Sequence, residues 1–167
     1  MERILVSSCL TGRPVRFDGR AKPVGGDLFE RWRGEGRLVP FCPEVSGGLA
    51  VPRPPAEIVG SSPEADGAAV LDGTARVVTD AGEDVTDAFV RGARLALEAA
   101  ERAGARLAIL KEGSPSCGSR RIHDGSFTGA SKVGAGVTSA LLERSGIEVF
   151  GEDELEAVAE RLHSLEK

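Results

Sequence analysis

Four short apolar runs set what this chain can become: RILVS at 3–7, RLVPF at 37–41, RLAIL at 106–110 and IEVF at 147–150. Each reads as a strand, and helical patterns lie between them. DLFERWRGEG (27–36) is amphipathic. Over 84–103, Val85, Phe89, Ala93, Ala96, Leu97 and Ala100 fall on one helical face, with Gly104 as terminator. The last strand sits between helices predicted at 136–146 and 152–166. Strands alternating with helices predict an α/β fold, a mostly parallel Rossmann-like sheet with flanking helices. An inserted β-hairpin is predicted over 68–80, where Asp72-Gly73 carries a type I′ turn signal; the same segment read otherwise is an antiparallel sheet edge. GGLAVPRPPAEIVG (47–60) is too rich in Pro and Gly for a helix and reads as an ordered loop. No repeat or long linker divides the chain, so residues 1–167 are expected to form a single domain.

The bulk numbers exclude several function classes. A net charge of −5 leaves no general nucleic-acid surface, which requires a basic stripe on phosphate. No apolar stretch approaches the ~20 residues needed to cross a bilayer, and MERILVSSCL is too short for a signal peptide. A cytoplasmic location is expected, where thiols stay reduced. Cys9, Cys42 and Cys117 are odd in number, which points to metal, catalysis or burial rather than a disulfide framework. His123, in a polar loop, and His163, in the last helix, read as surface residues.

The placing of the cysteines is more informative than their number. Cys9 follows the first strand, Cys42 ends the second, and Cys117 lies in the loop after 106–110. Loops after the carboxyl ends of parallel strands gather on one side of the sheet, where ligands bind. One buried Cys is ordinary; three at post-strand turns, each among Gly, Ser or Pro, are harder to ascribe to packing. A structural zinc takes a fourth Cys or His, and neither His is well placed. A [4Fe–4S] cluster held by three Cys leaves one iron open to soft sulfur, and the wide spacing fits no compact ferredoxin run.

Polar residues accompany these thiols. Glu44, in CPE, is either a solvated helix-terminal carboxylate or a group that moves protons beside a substrate. Ser114 and Ser116 flank Pro115 as turn formers or proton donors. PRPP (52–55) restricts the backbone around Arg53, which is aimed at an anion or lies on a surface loop. Lys111 stands at a strand end facing the crevice. Arg16 and Asp18 are spaced for a local ion pair. GAGVTSALL lacks the Lys-Ser/Thr of a P-loop and reads as a helix start. Two rival readings stay open here: Cys117 as a metal-free nucleophile, and a non-catalytic module in which three Cys hold zinc or a cluster for structure or sulfur delivery.

SSCLTG…RFDG, FCPEVSGGL…PRPPAEI, GEDVTDAFVRGA, LKEGSPSCGS and DGSFTGASKVGAGVTSALL…GIEVF together resemble the thiouracil desulfidase family, from residue 3 to about 155. The resemblance implies a [4Fe–4S] cluster on Cys9, Cys42 and Cys117, whose unligated iron takes the sulfur of a thiolated pyrimidine. Uracil and hydrosulfide would leave without net redox change. It implies proton-handling roles for Glu44 and Ser114, and Arg53, Lys111 and Ser116 are the expected substrate-binding residues. Thiolated RNA stays open as a substrate. Two departures stand out: many relatives carry a further Cys where this chain has Val15, and an Arg where it has Gly113. The first removes no ligand from the three-Cys set, and the second bears on loop stiffness and pocket width.

Overall fold

The computed structural model describes residues 1–167. In chain order the elements are β1 (Ile4–Ser7), α1 (Asp27–Gly34), β2 (Leu38–Phe41), α2 (Pro43–Ser46), β3 (Ala56–Gly60), α3 (Gly67–Leu71), β4 (Ala75–Thr79), α4 (Thr86–Ala103), β5 (Leu107–Leu110), β6 (Arg121–His123), β7 (Ser131–Val133), α5 (Val137–Arg144), β8 (Glu148–Gly151) and α6 (Leu155–Leu165).

β1 and β5 are apolar at nearly every position because side chains alternate across a strand and both faces here are covered. Ile4, Val6, Leu107 and Ile109 face Phe29 and Trp32 of α1 and Val158 and Leu162 of α6. Leu5, Ala108 and Leu110 face the other way, onto Ala96 and Ala100 of α4 and Leu142 of α5. Burying one side chain of Leu or Phe size contributes about 1.5–3 kcal/mol, so these two layers hold the sheet. The strands run parallel in the order β2-β1-β5-β8. From β1 the chain moves to β2 on one side, and β5 moves to β8 on the other. The crevice at the carboxyl ends of β1 and β5 is therefore the topological switch point, where ligands bind in open α/β sheets. The Rossmann-like class, the flanking helices and an inserted antiparallel pair are all present.

That pair is built from different residues than the turn signal predicts. No hairpin forms across Asp72-Gly73. Residues 67–71 are helix α3, with the Asp66 carboxylate accepting the Ala68 N–H at 3.1 Å as N-cap. A short apolar run such as AAVL fits helix or strand equally, and the cap decides. Gly73, at φ +82°, then turns the chain into β4. The partner of β4 is β3, inside the segment read as a loop, with register from Ala56↔Thr79 to Gly60↔Ala75. β3 and β4 form their own two-stranded sheet, not an edge of the main one, packed on α3, α4 and α5 through Ile58, Val77, Val70, Phe89 and Val137. A second small pair, β6 and β7, occupies what reads as a polar loop. The helix predicted over 84–103 is α4, closed by Gly104 in the left-handed conformation. No helix is long and apolar enough to cross a membrane.

One close approach positions a post-strand turn. Gly92 of α4 lies directly against the backbone of Pro43, and Gly47 against that of Ala88, with no room for a Cβ at either place. The turn carrying Cys42 and Glu44 thus rests on α4 backbone to backbone.

Candidate active site

A cavity of about 370 Å³ opens at the switch point, a size typical of small-molecule sites. Cys9 enters it from a 3-10 turn at Ser8–Thr11 directly after β1, and Cys42 from the residue preceding α2. Cys117 enters from the turn after β5, with Glu44, Arg53, Lys111, Ser114 and Ser116 also in the wall. Every candidate site residue is therefore gathered at one place, although they come from four separate segments.

The three thiols are free. Burial and then the charge of Cys42 push Cys9 up to about 11, against the pull of Arg16 and Lys111. Burial also raises Cys42, opposed by the Val45 N–H at the start of α2. Cys117 is pushed up to about 12 by burial, with the Ser116 and Ser7 hydroxyls opposing. A nucleophilic cysteine requires a lowered value, so the setting of Cys117 is the reverse of what the metal-free reading needs. No group of three or more acidic, His or Cys side chains converges on a single ion. Two buried thiols and a half-buried one, with Cys42 raising the other two, are spread around one cavity and suit a cationic polynuclear cluster that supplies the positive charge burial denies them and takes each thiolate on a separate iron.

Beside them a carboxylate is clamped. Arg53 Nε donates to Glu44 Oε1 at 3.1 Å, while its Nη1 and Nη2 donate to the carbonyls of Ala50 and Val15, both at 3.0 Å. The Arg53 side chain is only 6% exposed, so it is no surface residue. Its Nε is engaged by Glu44, and Nη1 and Nη2 each spend one N–H on a carbonyl. Glu44 Oε2 accepts from the Ser116 hydroxyl at 2.9 Å and the Ser114 hydroxyl at 3.4 Å. Ser116 is fully buried, lines the cavity, and its hydroxyl also lies 3.5 Å from Cys117 Sγ, so it supports Glu44 from beneath. Ser114 is a turn former as well: its oxygen accepts the N–H groups of Ser116 and Cys117, each at 3.1 Å. Lys111 donates to the Glu112 carbonyl at 2.7 Å and stands 3.5 Å from Glu152, with part of the side chain open to the cavity.

The loop carrying Cys117 is held from behind. Glu112 Oε1 accepts the N–H groups of Ser119, Arg120 and Arg121 at 2.8–2.9 Å, and Oε2 accepts the Ser119 hydroxyl at 2.7 Å. Burial pushes the Glu112 carboxyl up, but these donors outweigh it and leave it below the usual carboxylate range. The first turn of α5 grips the same loop, with Val137 and Thr138 N–H groups on the carbonyls of Pro115 and Ser116. GAGVTSALL is therefore a helix start whose donors are spent on protein, not phosphate. Gly113, at φ +85°, has open space where a Cβ would stand.

Arg16 and Asp18 do not pair; Asp18 accepts the Arg20 N–H, and Arg16 lies over the Phe17 ring. His123 is on β6 at the cavity rim, while His163 is exposed on α6. Glu57 and Glu112 line the cavity without having been singled out. Glu57 sits in the strand that the prolines before it disguise. Glu112 had a signal, an acidic residue adjoining a Gly/Ser turn with bare N–H groups.

The model of the 2-thiouracil desulfurase family matches residues 4–154. The chain is 45% identical over 152 residues to YbbK, an uncharacterised protein of Bacillus subtilis strain 168, covering 91% of this chain and 97% of that one. Among solved structures, that of the [4Fe-4S]-dependent thiouracil desulfidase TudS superposes with a TM-score of 0.87 at 49% identity, over 98% of this chain and 99% of the other.

Proposed function

We propose, from the premise that the chain belongs to the 2-thiouracil desulfurase family, that it is a [4Fe–4S]-dependent thiouracil desulfidase releasing uracil and hydrosulfide without net redox change. The observation that carries the proposal is the meeting of three free thiols and a clamped carboxylate around one cavity at the switch point. Cys9, Cys42 and Cys117 would hold the cluster. When bound, it supplies an iron with no protein ligand, a Lewis acid with affinity for sulfur.

The chain's own residues handle protons. In this reading a water oxygen forms the new bond to the thiocarbonyl carbon, and Glu44 Oε2 takes its first proton. The C–S bond breaks with its electron pair on sulfur, and Ser114 Oγ passes a proton to the departing group. The water oxygen replaces sulfur, one water proton leaves with sulfur as hydrosulfide by way of Glu44 and Ser114, the other is released, and no electrons are exchanged. Arg53 keeps the Glu44 carboxylate turned toward Ser114 and Ser116 through the cycle. Lys111 supplies a cation on the cavity wall that favours thiolate and hydrosulfide. Free thiols in a chain acting as one domain over 1–167 accord with a reducing, cytoplasmic setting.

Anaerobic reconstitution followed by iron counting, with 2-thiouracil and 4-thiouracil assayed side by side, tests this. A brown protein with about four irons per chain and turnover of either base is expected. Iron-free protein that turns over equally well would overturn the proposal.

A further inference from the structure

Glu57 is the one cavity carboxylate with an oxygen left over. It is 7% exposed, on the face of β3 opposite the core residue Ile58. Its Oε1 accepts two backbone N–H groups, from Gly125 at 2.9 Å and Phe127 at 3.2 Å. These bonds fix the side chain, and they brace a loop whose Phe127 has the left-handed φ of +57°. Oε2 has no donor from the protein. It is not sealed away either, since Thr138 Oγ1 is the lone enclosed side-chain polar atom without a partner. Glu57 lines the cavity that holds the thiols. Of the cations on the same cavity wall, Arg53 bonds Glu44 and Lys111 is held by the Glu112 carbonyl beside Glu152, whereas Arg16 has no ion pair.

An ionised carboxylate accepts hydrogen bonds and donates none. A cyclic thioamide such as thiouracil carries ring N–H groups beside its C=O and C=S. Resting on the desulfidase reading above, we infer that Glu57 Oε2 recognises one ring N–H of the substrate base and sets specificity for heterocycles with a free N–H at that position. The residue binds and orients the ring and takes no proton. A buried acceptor left without its donor is disfavoured, so an analogue alkylated there is rejected both by a clash and by an orphaned oxygen.

The test uses reconstituted holoenzyme, with thiouracil and its N1-methyl and N3-methyl derivatives as substrates. In the wild type, methylation at one of the two nitrogens should raise KM by at least about tenfold, with kcat changed far less. Glu57→Gln retains an acceptor for Gly125 and Phe127 but turns an NH₂ toward the ring. It should raise KM for unmethylated thiouracil about tenfold and erase the gap between the methylated and free bases. Calorimetry with uracil on the holo-protein reads the same contact without turnover, and binding should weaken about tenfold in the variant. Equal tolerance of both methylations by the wild type, or a variant that loses kcat with KM and uracil affinity intact, overturns the assignment. Wild-type holoenzyme that binds uracil but converts no thiouracil defeats the desulfidase reading instead, and the calorimetric comparison still decides Glu57.

Discussion

At the scale of single residues, the site depends on one carboxylate having all of its neighbours. Glu44 is 16% exposed and Arg53 6%, so their ion pair is largely out of water. Removing one partner of such a pair leaves an uncompensated charge, and Arg53→Met should destabilise the fold by about 3 kcal/mol in denaturant titrations. It should also free Glu44 to swing. Glu44→Gln keeps the shape and removes the base: turnover should fall at least about 100-fold, while iron content stays near normal. Ser114→Ala should show the same kinetic loss with an added destabilisation of about 1 kcal/mol, because two N–H groups lose their acceptor. If either variant instead emptied the cluster, its role would be structural. The residue types were visible in CPE and SPSCG from the start. What one dimension hides is partnership: Arg53 is nine positions from the anion it serves, across a proline-rich turn that reads as surface.

At the scale of elements, loops do the positioning and their anchors lie outside the motifs. Glu112 holds the turn of Cys117 through four donors. Because its folded carboxyl lies below the usual range, its stabilisation is fully present above that range and is lost as pH falls through the folded value. Unfolding free energies measured from pH 7 down to 3 should decline in the wild type, and less steeply in Glu112→Gln, which lacks that titration. Gly92 offers a purely steric counterpart. Gly92→Ala drives a methyl group into Pro43, and such overpacking destabilises by about 1–3 kcal/mol. Since the displaced turn carries Cys42, iron retention should drop with it. The sheet was legible because β1, β2, β5 and β8 are apolar runs bounded by turn signals. β3 was not, since Pro52, Pro54 and Pro55 precede it and its pairing is with a strand beyond a helix. The Asp72-Gly73 signal is real as a turn, but it closes α3 rather than a hairpin.

At the scale of the whole molecule, the cofactor site joins parts of the chain that meet only in the finished fold. Cys9, Cys42 and Cys117 leave three adjacent strands, so a ligand held by all of them ties the edge of the sheet together. Ligands that bind only the folded state raise its stability by mass action. Holo-protein should melt several degrees above the iron-free form under anaerobic conditions, and Cys117→Ser should remove most of that difference. The α/β class and the gathering of thiols were legible without any coordinates, because post-strand turns of a parallel sheet must share a side. The second antiparallel pair was not, since β6 and β7 are three residues each and mostly polar. The strand order has a further consequence for how the protein is made. β1 is translated well before β5, yet β5 is its neighbour on one side, with Ile4 set against Leu107. Until that stretch has been translated, the nascent chain carries an unpaired apolar strand edge and only two of its three thiols. A cluster held by all three thiols therefore has its full ligand set only once Cys117 has been translated.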